Sequence, residues 1–307
     1  MKSKIISKLT KNGGFFNNVR IYFNGLIASK LINGLTLLLL VFFLSPSEFG
    51  SYALFLMTVS FVSVFSTFGL RSGIMRIPWS DKQAILSNSL CIIICTNTLA
   101  TLLVLTISYK AILLAPEKFF FLLDYLWVVV IKTFATSYTG LVNTHHVSIE
   151  NPSAVVRINI ASALITFLLL LFFVLLDKFI SSNALSIVIL LQAISGIITV
   201  FYATYISRAH ISLTKIKIYY IISIIKLTWI FFTKQLIGFF QSYSATIILS
   251  VMATSELIGI YSFYSILLIH LNSLQTVFFK SYTPKIKNLL NLEGGIKTSK
   301  AIRLIKK

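Results

Sequence analysis

Four lysines lie inside or at the edge of long apolar runs: Lys30, Lys132, Lys226 and Lys234. Near the centre of a transmembrane helix each costs roughly 2.5–3.5 kcal/mol on insertion scales, so it needs a partner or a watery cavity. At ~1.5 Å per residue, Lys30, Lys132 and Lys234 share one predicted depth, while Lys226 lies at the membrane interface. Three cations at one level predict a cationic cavity for a phosphate-bearing substrate. The alternative, which is favoured for Lys226, is that these side chains extend to the inner headgroups.

The segment that carries Lys234 also shows a polar stripe. Its members fall within about 80° on a helical wheel: Ser223, Lys226, Thr233, Gln241 and Ser244. Such a face belongs against protein or water rather than lipid, which makes Thr233 and Gln241 candidate cavity residues. Asp124, eight residues before Lys132, is a candidate cavity or coupling acid, with a place at the outer interface as the equal alternative.

The residue patterns of common enzymes are missing from this sequence. We find no paired carboxylates, nucleophile with a base, glycine-rich phosphate loop or metal-ligand spacing, so we predict no catalytic residue, cofactor or metal. His145 and His146 are adjacent, and we expect them in a solvated cytoplasmic loop. Cys91 and Cys95 lie in one apolar run, where we expect small apolar packing rather than a disulfide.

Composition indicates an all-α polytopic membrane protein. The chain of 307 residues is 57% hydrophobic and only 11% charged, with a mean hydropathy of +0.90, which excludes an ordinary soluble domain. The net charge of +19 falls mainly between apolar runs, so nucleic acid is not an expected partner. Eight transmembrane spans are predicted: 23–44, 50–70, 84–108, 119–140, 158–176, 184–206, 221–249 and 257–279.

The distribution of charge between these spans predicts their orientation. Twenty of the 27 lysines and arginines precede the first span, follow the last, or lie in loops on that same side, whereas three lie in the opposite loops. The positive-inside rule then places both termini in the cytoplasm. The opposite, outer loops are short and hold only scattered carboxylates, which again disfavours a membrane enzyme.

A short motif recurs at the start of spans 2 and 8. The segment Ser255–Tyr261 repeats Ser47–Tyr52 if one inserted residue is allowed, which pairs Glu48 with Glu256. In both copies an uncharged apolar stretch follows and ends in a basic residue, Arg71 or Lys280, that we expect among the phosphate headgroups. Internal repeats are a common way in which transporters are built.

With these segments, and with Phe68-Gly69-Leu70 before Arg71 and Pro284 after Lys280, the chain resembles the polysaccharide-biosynthesis flippases. These belong to the multidrug/oligosaccharidyl-lipid/polysaccharide exporter superfamily. The resemblance implies two six-helix lobes around a basic cavity that moves an undecaprenyl-diphosphate oligosaccharide, such as an O-antigen or capsule unit, across the bacterial inner membrane. It implies that Lys30 and Lys234 lie on the first helix of each lobe. The expected partners are this substrate, membrane lipids, and other polysaccharide-assembly proteins or a second copy.

The expected organisation departs from that pattern, since relatives have twelve or more helices. We predict a basic cytoplasmic N-terminus (1–22), a six-helix lobe (23–206), a basic connection (207–220), the first two helices of a second lobe (221–279) and a basic tail (280–307). A truncated gene, an oligomer and an inactive short form are all compatible with eight helices. Two other functions stay open, namely a cation-coupled multidrug exporter that uses Asp124 and a non-transporting scaffold or remnant.

Overall fold

Helices make up nearly all of the computed structural model, which describes residues 13–75, 82–114, 121–149, 151–176, 184–269 and 271–272. The helices are α1 Gly13–Phe43, α2 Pro46–Thr67, α3 Leu70–Ile74, α4 Lys82–Leu114, α5 Phe121–Asp124, α6 Leu126–Ser148, α7 Pro152–Leu176, α8 Ala184–Ser207, α9 Ile218–Met252 and α10 Ser255–Ile269. Two 3₁₀ turns, Arg208–His210 and Leu213–Lys215, connect α8 to α9. The described part of the chain contains no strand, as predicted for an all-α membrane protein.

Six of the eight predicted spans correspond to helices that, among the described residues, are long and apolar enough to cross a membrane: α1, α2, α4, α7, α8 and α9. The predicted span 119–140 is shifted along the chain, because the helix is interrupted at Tyr125 and α6 continues to Ser148. The apolar helix α10 is shorter than its predicted span 257–279, and the end of that span lies outside the described residues. The basic residues before position 13 and the tail 280–307 also lie outside them.

The start of α2 follows from its sequence. Ser45 is the N-cap, and its hydroxyl oxygen accepts a hydrogen bond from the Glu48 amide at 3.4 Å. The Glu48 carboxylate in turn accepts from the Ser45 amide at 2.9 Å. Pro46 occupies the first helical position, where no amide proton is needed. This capping box fixes where the chain turns from α1 into α2.

Helix α2, whose only charged residue is Glu48 in its first turn, is the centre of the packing. It contacts α4, α6 and α9 over much of its length and also touches α1 and α8. Its side chains Leu54, Phe55 and Val62 are no more than 1% exposed. A helix that is apolar on every side is stable in such a position because each face meets protein, and α2 therefore connects the other elements.

The two copies of the repeated motif pack directly against each other. A Cβ atom on Gly50 would overlap the Ser255 carbonyl oxygen, and one on Gly259 would overlap the Pro46 carbonyl oxygen. In each copy the carbonyl belongs to the residue four positions before the glycine. The contact is therefore reciprocal, with each glycine accommodating the first turn of the other helix.

The structure corrects the alignment of this repeat. Gly50 and Gly259 are 209 residues apart (259 minus 50), and the same shift relates the N-cap Ser45 to Thr254, whose hydroxyl accepts from the Leu257 amide at 3.4 Å. No residue is inserted, so the prediction that Glu48 pairs with Glu256 is wrong. Both copies share the cap hydroxyl and the glycine. The hydroxyl caps the start of the helix, and the glycine allows the close approach of the two helices.

Candidate functional site

The predicted polar residues of α9 line an open groove of about 640 Å³. Lys234, Thr233 and Gln241 are exposed and lie beside Trp229, which is 57% exposed. The remaining lining residues are Ile230, Ile237 and Gly238. One ammonium group, one amide, one hydroxyl and one indole ring thus share a single helix face.

The groove faces away from the bundle because α9 has two different sides. One side carries Phe232, Phe239 and Tyr243, which pack on α2, and the groove residues lie about half a turn away from them. Lys226 and Ser244 of the predicted stripe are exposed, whereas Ser223 is half-buried. Most of the polar stripe is therefore an exposed surface of α9.

The other candidate cations lie on different helices. Lys132 is half-buried on α6, and its Cδ would be 3.8 Å from a Cβ atom on Gly196 of α8. Lys30 is half-buried on α1, a helix that packs mainly against α7. Asp124 is exposed at the end of the short helix α5.

The described contacts bring Lys234, Thr233 and Gln241 together and leave Lys30 and Lys132 apart from them. Helix α2 packs against α6 and α9 and touches α1, so it stands between the three lysine-bearing helices. A single cavity that holds all three lysines therefore stays a prediction. What the structure presents directly is the groove on α9.

Comparison with known proteins identifies the family. The model of the family described as "Polysaccharide biosynthesis protein" matches residues 15–288, which is most of the chain. The chain belongs to this polysaccharide biosynthesis family. No curated protein matches it, and no solved structure matches it. The resemblance seen in the sequence is thus confirmed at the level of the family, and the chain is a multi-pass membrane protein of that family.

One cation of this family member lies where the sequence did not predict it. Arg71 was expected among lipid headgroups, but it lies on α3 and its Nη2 donates to the Thr136 carbonyl oxygen of α6 at 2.5 Å. Gly140, one turn further along α6, has no side chain and leaves room for the guanidinium. The sequence contained no sign of this contact, because it depends on how α3 turns back onto α6.

The two adjacent histidines also differ from expectation. His145 and His146 are each 1% exposed at the end of α6, so the prediction of a solvated loop is wrong. Their rings lie 5.3 Å and 5.6 Å from the ring of His210, and His146 Nε2 hydrogen-bonds the Ser207 hydroxyl at 2.8 Å. They lock the end of α6 to the end of α8. Among the described residues no group of His, Cys, Asp or Glu is arranged to hold a metal ion.

Proposed function

We propose that this protein is a flippase for a lipid-linked oligosaccharide. Its substrate would be an undecaprenyl-diphosphate-linked O-antigen or capsule unit, which it moves from the inner to the outer leaflet of the bacterial inner membrane. The observation that carries this proposal is the family match over residues 15–288, together with six apolar helices of membrane-spanning length. Families of this architecture move a hydrophilic group across the bilayer by alternating access rather than by chemistry.

The groove on α9 has the chemistry that such a substrate requires. The Lys234 ammonium suits a diphosphate, since charge-assisted hydrogen bonds to phosphate are strong. The exposed Trp229 ring suits the face of a sugar, and the Thr233 hydroxyl and Gln241 amide suit sugar hydroxyls. In this proposal Lys30 and Lys132, on helices of the first predicted lobe, add to the cationic lining of the transport path.

This proposal makes transport the function and leaves no catalytic role for the chain. With both termini in the cytoplasm, as the distribution of basic residues predicts, the lysines lie in the inner half of the bilayer and meet the substrate from that side. A cation-coupled drug exporter would need an acid inside the membrane, and Asp124, at the end of a four-residue helix, is the candidate for that role.

Complementation tests the proposal. The chain is expressed in a bacterium that lacks its own O-unit flippase, and both surface polysaccharide and accumulated lipid-linked precursor are measured. We expect surface glycan to return and precursor to fall. We expect Lys30→Ala, Lys132→Ala and Lys234→Ala each to reduce both effects, because each removes a cation from the inner half of the bilayer.

Lys226→Ala is the matched control, because this lysine is exposed on the same helix as Lys234 and is predicted to reach the headgroups. It should transport as well as the wild-type chain. Full transport by all three other variants at equal protein level would contradict the cationic lining. Stable insertion without any transport of several different lipid-linked units would contradict the flippase itself.

A further inference from the structure

Arg71 occupies an interior position that its place in the sequence does not suggest. After α2 ends, Phe68 and Gly69 both adopt left-handed backbone conformations, with φ of 43° and 74°, and α3 then begins in a new direction. Leu70 and Ile74 of α3 are buried, at 0% and 2% exposure. Arg71 therefore points at α6 while its neighbours fix α3 to the bundle.

Among the described residues the guanidinium makes few of the hydrogen bonds that it can make. It has five N–H donors, and its Nη2 donates to the Thr136 carbonyl oxygen. Its Nε is buried and has no hydrogen-bond partner among the described residues. An inward-facing cation with an unused donor is costly, and an anion that reaches it would relieve that cost.

The carboxylates that the structure describes do not supply that anion. Glu48 caps α2 at the end of the helix remote from α3, Glu256 lies in the first turn of α10, and Asp124 lies before the start of α6. Arg71 as a whole residue is half-buried. Among the described residues Arg71 thus has no carboxylate to pair with, and a phosphate group would supply the negative charge.

A second cation lies close to this contact, on α6 itself. Lys132 is four residues before Thr136, and its position on α6 is roughly 6 Å along the axis from the carbonyl that Arg71 contacts. Going from the Ser148 end of α6 towards its middle, a ligand would meet a guanidinium first and an ammonium one turn later. Under the proposed topology this direction leads from the cytoplasm into the membrane.

We propose that Arg71 binds a phosphate group of the lipid-linked substrate as it enters, next to Lys132. This inference rests on the proposed function, which supplies the diphosphate. Arginine suits the role because its planar fork can donate two hydrogen bonds to one phosphate. The glycine at position 140 is part of the site, since a side chain there would displace the guanidinium.

The test is binding of undecaprenyl diphosphate to the full chain in nanodiscs of zwitterionic lipid. Arg71→Gln removes the charge and keeps a shorter side chain with an amide donor on the same side of α3. We expect its Kd for undecaprenyl diphosphate to rise by about 10-fold to 100-fold, the usual effect of losing a charged hydrogen bond. Gly140→Ala, which keeps the arginine but fills its space, should also weaken binding.

Two controls separate this site from general effects. Arg208→Ala removes an exposed arginine that stacks on the Tyr205 ring at 5.0 Å, and it should leave the Kd unchanged. Thermal unfolding of Arg71→Gln should match wild type, which a purely structural arginine would not allow. Undecaprenol, which lacks the diphosphate, should not distinguish wild type from Arg71→Gln.

The outcomes separate this inference from the function on which it rests. Equal binding of undecaprenyl diphosphate by wild type and Arg71→Gln overturns the role of Arg71 and leaves the flippase intact. If wild type does not bind undecaprenyl diphosphate, the proposed substrate fails and the role of Arg71 falls with it. Phosphatidylglycerol, added as a competitor, supplies an ordinary lipid phosphate. If Arg71→Gln changes only the binding of phosphatidylglycerol and not that of undecaprenyl diphosphate, the arginine binds lipid headgroups, and the inference is wrong.

Discussion

The two ends of α2 are held by different kinds of contact. At its Pro46 end α2 meets α10 through backbone atoms, with Gly50 and Gly259 each against a carbonyl of the other helix. At its Thr67 end Phe65 and Phe68 pack on Phe232 of α9 at ring distances of 5.5 Å and 4.9 Å, and Gly69, just beyond the end of α2, lies against the α9 backbone. The same helix is thus joined to α10 by a reciprocal pair of glycines and to α9 mainly by side chains.

The two contacts are expected to respond differently to substitution and to movement of the helices. Backbone atoms of two helices cannot rotate out of the way, so an added methyl group must separate the helices. Aromatic side chains can change rotamer, and hydrogen bonds can be replaced one at a time. In a protein proposed to open at each membrane face in turn, the glycine contact can only be formed or broken. The aromatic contact can adjust gradually.

Gly50→Ala should have the largest effect of the substitutions considered for α2. The new Cβ overlaps the Ser255 carbonyl, and we expect a loss of about 1–3 kcal/mol in the free energy of unfolding, as for other overpacked sites. Thermal unfolding in detergent measures it. Gly259→Ala should lose a similar amount, because the contact is reciprocal.

Gly34→Ala is the matched control, since a Cβ atom at Gly34 of α1 would meet nothing within 4 Å. Alanine is the better helix former, so this variant should be stabilised by up to about 1 kcal/mol. Equal melting temperatures for Gly50→Ala and Gly34→Ala would contradict the close contact between α2 and α10.

Gln235→Ala should have an intermediate effect at the other end of α2. The Gln235 side-chain oxygen accepts from the Gly69 amide and the Thr67 hydroxyl, both at 3.2 Å. Thr67 keeps a second acceptor in the Ser63 carbonyl, so only the Gly69 amide loses its partner. We expect a loss of about 1–2 kcal/mol in the free energy of unfolding, the usual cost of one unsatisfied buried group.

Gln235→Glu provides the comparison for that variant, because a carboxylate oxygen can still accept from the Gly69 amide. Its melting temperature should lie between those of wild type and Gln235→Ala. If both variants unfold like wild type, the bend at Phe68 and Gly69 is held by the aromatic packing alone.

Sequence reasoning predicted most of the fold because hydrophobic length decides it. Uncharged runs such as 50–70 have to be membrane helices, and Pro46 with Ser45 marks where one of them begins. The break at Tyr125 was not predictable, since no glycine or proline marks it. The repeat was found from the sequence, but its alignment required the contact between the two glycines.

The candidate site was predictable in part, for a physical reason. Helical periodicity is local, so it placed Lys234, Thr233 and Gln241 on one face, as the groove on α9 shows. Whether Lys30 or Lys132 shares a cavity with them depends on how distant helices pack, which no local pattern encodes. Arg71 was misplaced for the same reason, because two consecutive left-handed residues redirect the chain just before it.

Tyr243→Phe should have the smallest effect and probes the middle of α2. The Tyr243 hydroxyl hydrogen-bonds the Ser60 hydroxyl at 2.9 Å, while its ring stacks on Phe239 at 4.9 Å. Phenylalanine keeps the stacking and removes the hydrogen bond, so we expect a loss of about 0.5–1.5 kcal/mol in the free energy of unfolding. Tyr219→Phe on the same helix is the control, since Tyr219 is 73% exposed and should tolerate the change. A Tyr243→Phe protein as stable as Tyr219→Phe would mean that the rings alone join α2 to α9 at this level. The contact between α2 and α9 at this level would then tolerate movement of the rings, unlike the reciprocal glycine contact between α2 and α10.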